Sequence, residues 1–513
     1  MDGVNSSKQI KIGALLSYIS IAFNIVAGLI YTPWMIAIIG QADYGLYILT
    51  TSFLAYFVID FGLGNAVTRF LSKYNAENDK DSINNLLGLI FKLYLIIDIA
   101  IIIILIIVFS FIDKIFIGLT IVEIEKVRIL FCIAGIYCVF AFPFQPLDGI
   151  LTSYELFLPL KLSTLLNKAL TISFIVIALS MGLGLYSLVV VNVFVGIIII
   201  TFKLIYINKK MHLSINFKYK DMGLTKSVFG FSIWMMVSII CYEMFVAIQP
   251  TLLGILANSV EIAIFAIGMT IFGYTSSFAS AINGLFLPKV SRMVAVDESI
   301  EKKEDLMIKV GRIQLFVVGL IIVGFLSMGR QFIELWVGNQ FSDSYYVAAL
   351  LITPSIIIST QAIPLTIILA ENKIKIEAYG LIISSIISLL VSIILVKKIG
   401  AIGAAAGASA GLIFSYVVWM NVVYKKVLGI NIYRFFKECH LKMLLPLILT
   451  AILGLLVQKV SPSANLLIYL FKACGIGLIY IVLMWLLSLN NFEKNLFLGI
   501  ARKVTSAVSM RIK

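Results

Sequence analysis

The chain has 513 residues, 61% of them hydrophobic, and a formal charge of +14 from 40 Lys and Arg against 26 Asp and Glu. A mean hydropathy of +1.07 excludes an ordinary soluble domain, in which about half of the residues are apolar. The basic excess does not point to nucleic acid, because its clusters are short connections with no recognisable binding module.

An apolar run of about 20 residues crosses the hydrocarbon core as a helix, and about fourteen runs qualify. The first six are Gly13–Ile36, Tyr44–Phe70, Leu86–Phe111, Val127–Ile150, Leu162–Ser180 and Leu185–Ile207. The next six are Val228–Leu252, Val260–Leu287, Ile308–Met328, Val347–Ile368, Ala378–Val396 and Gly403–Val423. Met443–Val457, which is short, and Leu466–Leu489 complete the series. The first run is too long for a removable signal peptide and lacks a small-x-small cleavage site, so it is expected to remain as a span. With the N-terminus inside, about 31 of the basic residues fall on the cytoplasmic side and about 7 outside. The charge is therefore an orientation signal, with both termini cytoplasmic and contacts to anionic lipid headgroups.

The polar connections are informative too. Asn208–Thr225 is polar and basic, and Asp297–Asp305 (DESIEKKED) reads as a solvated cytoplasmic loop. After the last span, Phe492, Leu496, Ile500, Val504 and Val508 recur at near-helical spacing among Lys494, Arg502, Lys503 and Arg511. That tail is either a helix in the inner headgroup layer or a solvated end, and the pattern leaves both open. Five Cys show no paired spacing, and His212 and His440 fall in inside connections, so no disulfide or zinc framework is expected. No HExxH, P-loop or calcium-loop motif is present, which argues against an enzyme and against a nucleotide site.

The chain repeats itself. Asp43 matches Glu261, Pro33 matches Pro250, and Asn65 matches Asn283, at an offset of roughly 217 residues. The expected fold is all-α and polytopic, with two pseudo-symmetric six-helix lobes, 1–221 and 222–437. Two further helices follow at 438–490 and a cytoplasmic amphipathic tail at 491–513. An even number of helices per lobe permits a parallel duplication about an axis along the membrane normal, a transporter architecture.

Certain residues carry a more specific resemblance. Pro33, then Gly40-Gln-Ala-Asp-Tyr-Gly-Leu-Tyr47, Asp60-Phe-Gly-Leu-Gly64 and Arg69-Phe-Leu71 resemble the polysaccharide-biosynthesis transport proteins. These are the Wzx-type flippases of the MOP exporter superfamily, to which the MATE transporters also belong. Gly400-Ala-Ile-Gly-Ala-Ala405 is similar to that family's Gly-rich segment at the matching place. The resemblance implies movement of an undecaprenyl-pyrophosphate-linked oligosaccharide, destined for O-antigen, capsule or exopolysaccharide, from the inner to the outer leaflet of the bacterial cytoplasmic membrane. A polysaccharide polymerase is a compatible partner. The rivals are a MATE-like drug or cation antiporter, and a membrane glycosyltransferase or polymerase.

A lipid-linked sugar needs a polar path, so polar residues inside apolar helices are the candidates. Asp60, Asp98 and Glu243 are the deepest ionisable groups and the candidates for H+ or Na+ coupling; no other cofactor and no metal is expected. Glu243 reads as functional and Asp98 as a structural carboxylate. Asp60 either lines the path or caps a broken turn. Arg69, Lys168, Arg292 and Arg312 are individually ordinary headgroup anchors, yet as a group they are the candidates for a ring that captures a pyrophosphate headgroup from the inner leaflet. Asn24, Asn65, Gln249 and Asn283 are candidates for sugar hydrogen bonds or for helix-to-helix bonds. Pro33, Pro250 and Pro364 are candidate pivots.

Overall fold

Inside a bilayer a chain of this composition can satisfy its backbone N–H and C=O groups only by forming helices or a closed barrel. Long apolar runs without alternation favour the helix. The computed structural model describes residues 3–499 except 59, 61, 212, 372 and 464, and it is helical almost throughout. The helices begin with α1 (Gly3–Ile39), α2 (Gln41–Ala55), α3 (Leu63–Ala76), α4 (Lys80–Ser110) and α5 (Ile112–Ile115). They continue with α6 (Ile121–Ala141), α7 (Pro146–Ser153), α8 (Phe157–Ser180), α9 (Gly184–Met211) and α10 (Met222–Val246). Then come α11 (Ile248–Leu256), α12 (Ser259–Ala295), α13 (Ile300–Val337), α14 (Ser344–Thr360) and α15 (Ala362–Ala370). The last are α16 (Ile374–Leu412), α17 (Met420–Val427), α18 (Ile432–Phe435), α19 (Lys442–Val460) and α20 (Leu466–Leu487). A short helix over 491–499 follows.

Among the described residues, eleven helical stretches are long and apolar enough to cross a membrane, or twelve if α14 and α15, bent by 60°, form one span. The expected fourteen differ from this for two local reasons. The stretch Ile374–Val427 runs for 54 residues, roughly 81 Å of helix, far more than one crossing needs. It contains a non-helical break at Ile399 and Gly400, so two expected segments lie in it. The second expected segment is split in the other way: α2 has 15 residues and α3 has 14, each too short to span alone. The protein is an all-helical, multi-pass membrane protein. Its apolar exterior agrees, since Ile96, Ile99, Ile106 and Phe471 are exposed on α4 and α20, a surface that lipid tolerates and water does not.

The break in α16 has a visible cause. Gly400 has φ +52°, and the carboxylate of Glu261 occupies the space that a Cβ would need. Glu261 Oε2 accepts a hydrogen bond from Ala401 N–H at 2.7 Å, which caps the restarted helix. Gly400→Ala combines a left-handed backbone with a collision, so it should cost about 1–3 kcal/mol. A lowered unfolding temperature of the purified protein is the measurement.

By internal packing the chain forms two compact units. One comprises residues up to Ile267 together with Ile374–Gly411, and the other Gly268–Lys373 together with the residues from Leu412 onward. These units follow packing, whereas the expected lobes follow the internal repeat, and the two divide the chain differently. In the first unit α1 and α9 pack on α8, α2 on α6 and α11, and α3 on α4, α7 and α10. In the second, α13 is the hub against which α14, α19 and α20 pack.

Two polar connections are more ordered than their composition suggests. Residues 213–221 lie as a strap along α4. Ser214 N–H donates to Asn84 Oδ1 at 3.2 Å, and Asn216 N–H to the Asn84 carbonyl at 3.1 Å. Asn216 Nδ2 donates to Asn85 Oδ1 at 2.7 Å, and Lys92 Nζ to the Tyr219 carbonyl. Gly88 makes this close approach possible, since a Cβ there would collide with the Asn216 carbonyl. The strap ends on Asp221, which caps α10 by accepting from Gly223 and Leu224 N–H at 2.7 and 3.0 Å. The bond from Leu224 N–H, and then that from the Tyr219 hydroxyl, hold the Asp221 carboxyl below its ordinary value.

The expected solvated loop Asp297–Asp305 is also corrected. From Ile300 onward it forms the first turns of α13. There Glu304 is buried and accepts from Asn431 N–H at 2.6 Å and from Arg434 Nη1 at 3.2 Å. Arg434 also reaches Asp305 at 2.7 Å and Glu438 at 3.0 Å. The acids serve as docking points for one arginine.

Candidate functional site

A polar cavity of about 440 Å³ opens in the first unit between α1, α8 and α9. Two of the sequence candidates, Asn24 and Lys168, line it, together with Ser20, Ser163, Asn167 and Lys203. Lys168 stands midway along the 24 residues of α8, so it lies roughly 17 Å from either helix end. A charge at that depth is tolerated only where it faces water or a partner. Among the described residues no carboxylate pairs with Lys168. Lys203, by contrast, holds Asp148 at 2.5 Å. The Ser20 hydroxyl is buried in the same region without a hydrogen-bond partner. The cavity thus offers one unneutralised ammonium, carboxamides and hydroxyls, which suits a ligand carrying both negative charge and many oxygens.

Sequence reasoning missed Ser20, Ser163, Asn167 and Lys203. A usable signal existed: Ser20 with Asn24, Ser163 with Asn167, and Thr164 with Lys168 are i, i+4 pairs and share a helix face.

The carboxylates are distributed differently. Asp60 lies in the break between α2 and α3, where Oδ2 accepts from Gly64 N–H at 2.8 Å and Oδ1 accepts from the Tyr94 hydroxyl. It therefore caps the restart of the helix and ties it to α4. Asp98, one turn beyond Tyr94, is buried with Oδ1 lacking a hydrogen-bond partner, and Cys138 is beside it. Glu243 is half-buried near the end of α10, close to the Tyr56 phenol, which also neighbours Thr251. Among the described residues Glu243 forms no ion pair.

The remaining candidates separate. Asn65 and Arg69 are exposed on α3. Gln249 is fully buried, with Nε2 donating to Ser388 Oγ at 3.2 Å and Oε1 accepting from Ser392 Oγ at 2.9 Å. It bonds α11 to α16 with both ends of its amide. Gln249→Leu should lower stability by about 1–3 kcal/mol, because the two serines lose their partner; thermal unfolding measures this. In the second unit Asn283 accepts from Gln314 Nε2, linking α12 to α13.

Arg312 is the clearest departure from expectation. It is buried and ion-paired with Glu493, Nε to Oε1 at 2.5 Å and Nη2 to Oε2 at 3.0 Å. Nη1 donates to the Glu438 carbonyl at 2.8 Å, and Nη2 to that of Ser488 at 2.6 Å. A guanidinium so engaged has little left for a phosphate. Glu493 belongs to the tail, whose helix over 491–499 is capped by Asn490 and packs Phe497 against Phe316 with ring centroids 4.8 Å apart. The rest of the expected amphipathic tail lies outside the described residues.

The prolines fall into two kinds. Pro33 sits inside the continuous helix α1. Pro250 and Pro364 each stand third in a helix that restarts, α11 after Ala247 and α15 after Gln361. The missing N–H of proline and its clash with the carbonyl four residues back place the breaks there.

Comparison with known proteins agrees with the fold. No curated protein sequence matches the chain. Among solved structures, the lipid II flippase MurJ in an inward closed conformation is similar with a TM-score of 0.66 at 14% identity, covering 94% of this chain and 98% of its own. An inward-facing multidrug resistance MATE family transporter of the MOP superfamily is similar with a TM-score of 0.65 at 15% identity, covering 81% and 98%. The MATE multidrug transporter DinF-BH gives 0.60 at 14%, covering 82% and 95%. These likenesses show the fold, which is that of MurJ and of the MATE transporters. The sequence profile described as polysaccharide biosynthesis protein matches residues 12–294, more than half of the chain, and the chain therefore belongs to the polysaccharide biosynthesis protein family.

Proposed function

We propose that this protein is a flippase that carries an undecaprenyl-pyrophosphate-linked oligosaccharide repeat unit from the inner to the outer leaflet of the bacterial cytoplasmic membrane. The observation that carries the reading is the cavity holding Lys168 at mid-span, ringed by amides and hydroxyls. A diphosphate requires cationic donors, and sugar hydroxyls require neutral ones; this wall supplies both. A cationic drug has the wrong charge for it, which disfavours the antiporter reading. The MurJ likeness, which covers more of this chain than the MATE likenesses, also supports it.

In this reading transport proceeds by alternating access of the repeat-related lobes, with both termini cytoplasmic and Pro250 and Pro364 at the pivots. Asn65, Arg69 and Asn283 serve the headgroup path in another state of the cycle. Asp98 and Glu243 couple H+ or Na+ movement, and a polysaccharide polymerase receives the product. The polymer is an O-antigen, capsule or exopolysaccharide.

Cells lacking the protein but retaining the glycosyltransferases should accumulate lipid-linked repeat units on the inner leaflet. Normal delivery to the outer leaflet, with no related protein present, would remove the proposal. Asp98→Asn and Glu243→Gln should each weaken the dependence of transport on the ion gradient while leaving headgroup binding intact. Rates with and without an ionophore distinguish the two effects.

A further inference from the structure

A second polar pocket, of about 310 Å³, lies in the first unit where the end of α3, the start of α4, the end of α7 and the end of α9 meet. Its wall includes Asn75, Asn78, Lys80, Asn84, Tyr154 and Lys210. It is separate from the cavity around Lys168, with which it shares no lining residue.

The wall carries two ammonium groups, three carboxamides and a phenol, and no carboxylate. Among the described residues, Lys80 and Lys210 have no carboxylate partner, and the side chains of Asn75, Asn78 and Tyr154 make no hydrogen bond. Of the acids next to the wall in sequence, Asp81 and Glu155 are exposed and outside the lining, and the other two are engaged elsewhere. Asp79 gives its two carboxylate oxygens to Ser82, at 2.9 Å to N–H and 2.6 Å to Oγ, which hold its carboxyl below the ordinary value. Glu77 faces Lys73. Asn78, in the wall, and Glu155, between the wall residues Tyr154 and Leu156, have φ of +54° and +56°. Non-glycine residues held in this region cost energy and persist only where the surroundings enforce them. Asn84 also anchors the strap through Ser214 and Asn216, so the root of the strap closes one side of the pocket.

We propose that this pocket binds a phosphate or diphosphate group, bridged by Lys80 and Lys210 and received by the amides of Asn75 and Asn78. Two ammonium groups and several neutral donors around a small pocket open to solvent match such an anion, since charge-assisted hydrogen bonds to phosphate oxygens are about twice as strong as neutral ones. The group comes either from an anionic lipid headgroup or from a water-soluble phosphate. Lys210 also lies in the last turn of α9, where its charge suits the helix dipole. The test must therefore separate ligand binding from helix stability.

The test uses the purified full-length protein in detergent. Native mass spectrometry with phosphatidylglycerol or phosphatidylcholine forms one arm, and thermal unfolding with inorganic pyrophosphate forms the other. Each charge-assisted bond removed should weaken binding by roughly tenfold. Lys80→Ala/Lys210→Ala should thus lose the retained phosphatidylglycerol adduct, or the pyrophosphate stabilisation. Both arms are read in the Lys168→Ala background, which removes the ammonium of the cavity proposed to take the substrate's diphosphate, and there Lys209→Ala/Lys220→Ala, outside the pocket, should keep the binding. Retention of phosphatidylglycerol alone assigns the lipid source, and stabilisation by pyrophosphate alone assigns the soluble one. Should the double variant fail to fold, Asn78→Asp adds a repelling charge to the wall and should weaken binding similarly. Absence of binding in both arms, binding unaffected by these pocket variants, or equal loss in the Lys209/Lys220 control overturns the proposal. Because Lys168→Ala is expected to bind normally here, failure of this site is distinguishable from failure of the flippase reading.

Discussion

Replacing Lys168 by Ala should reduce delivery of lipid-linked glycan to the outer leaflet by roughly 10- to 100-fold, the equivalent of about 1.5–3 kcal/mol for a lost charge-assisted hydrogen bond. Lys168→Arg should preserve most of the activity, because it keeps the charge while changing the donor geometry. The purified Lys168→Ala protein should unfold at the wild-type temperature or slightly above it. This follows because Lys168 has no carboxylate partner among the described residues and lies in mid-span, where an ammonium stabilises nothing nearby. The contrast between lost transport and retained stability is the signature of a ligand-facing cation. A variant that transports normally would move the headgroup path away from this cavity.

Arg312→Ala and Glu493→Ala should each destabilise the protein by about 3–5 kcal/mol, since either change leaves an uncompensated buried charge. The double variant Arg312→Met/Glu493→Leu should recover much of that loss, because well-packed apolar residues often replace a buried ion pair at little cost. Unfolding temperatures of the four proteins, wild type included, measure both effects. The two side chains are 5% and 3% exposed, so screening by water does not blunt the effect. Equal stability of the single variants and the wild type would show that the pair is open to solvent in the working protein. Transport lost in the single variants and regained in the double would mark the pair as structural, not as a ligand for pyrophosphate.

The contrast between these two cations shows which information the sequence carries. Lys168 and Arg312 look alike along the chain: each is a basic residue within an apolar segment, and hydropathy gives no ground to separate them. Their fates depend on residues far away. Lys168 faces Asn24 and Ser20 on another helix, whereas Arg312 meets a glutamate in the tail. Periodicity reports which face of a helix is polar, not which helix stands opposite that face. The positions of the apolar segments were legible because length and apolarity are local properties. The breaks were only partly so. Pro250 and Pro364 announce theirs, but the restart at Ala401 depends on Glu261, 140 residues earlier. DESIEKKED misled for a similar reason. Its charge density indicates water, yet Glu304 and Asp305 are held by Arg434 from a later helix.

The Arg312–Glu493 pair also constrains how the chain is made. The two residues are 181 positions apart, so at translation rates of 5–20 residues per second the guanidinium is made roughly 9–36 s before its counter-charge. During that interval α13 cannot settle fully among its neighbours without stranding a cation. Its final seating must wait until Glu493 has been made. A message cut short even a few codons ahead of Glu493 would yield a product with every helix from α1 to α20 present and one naked charge at its heart, ready prey for membrane proteases.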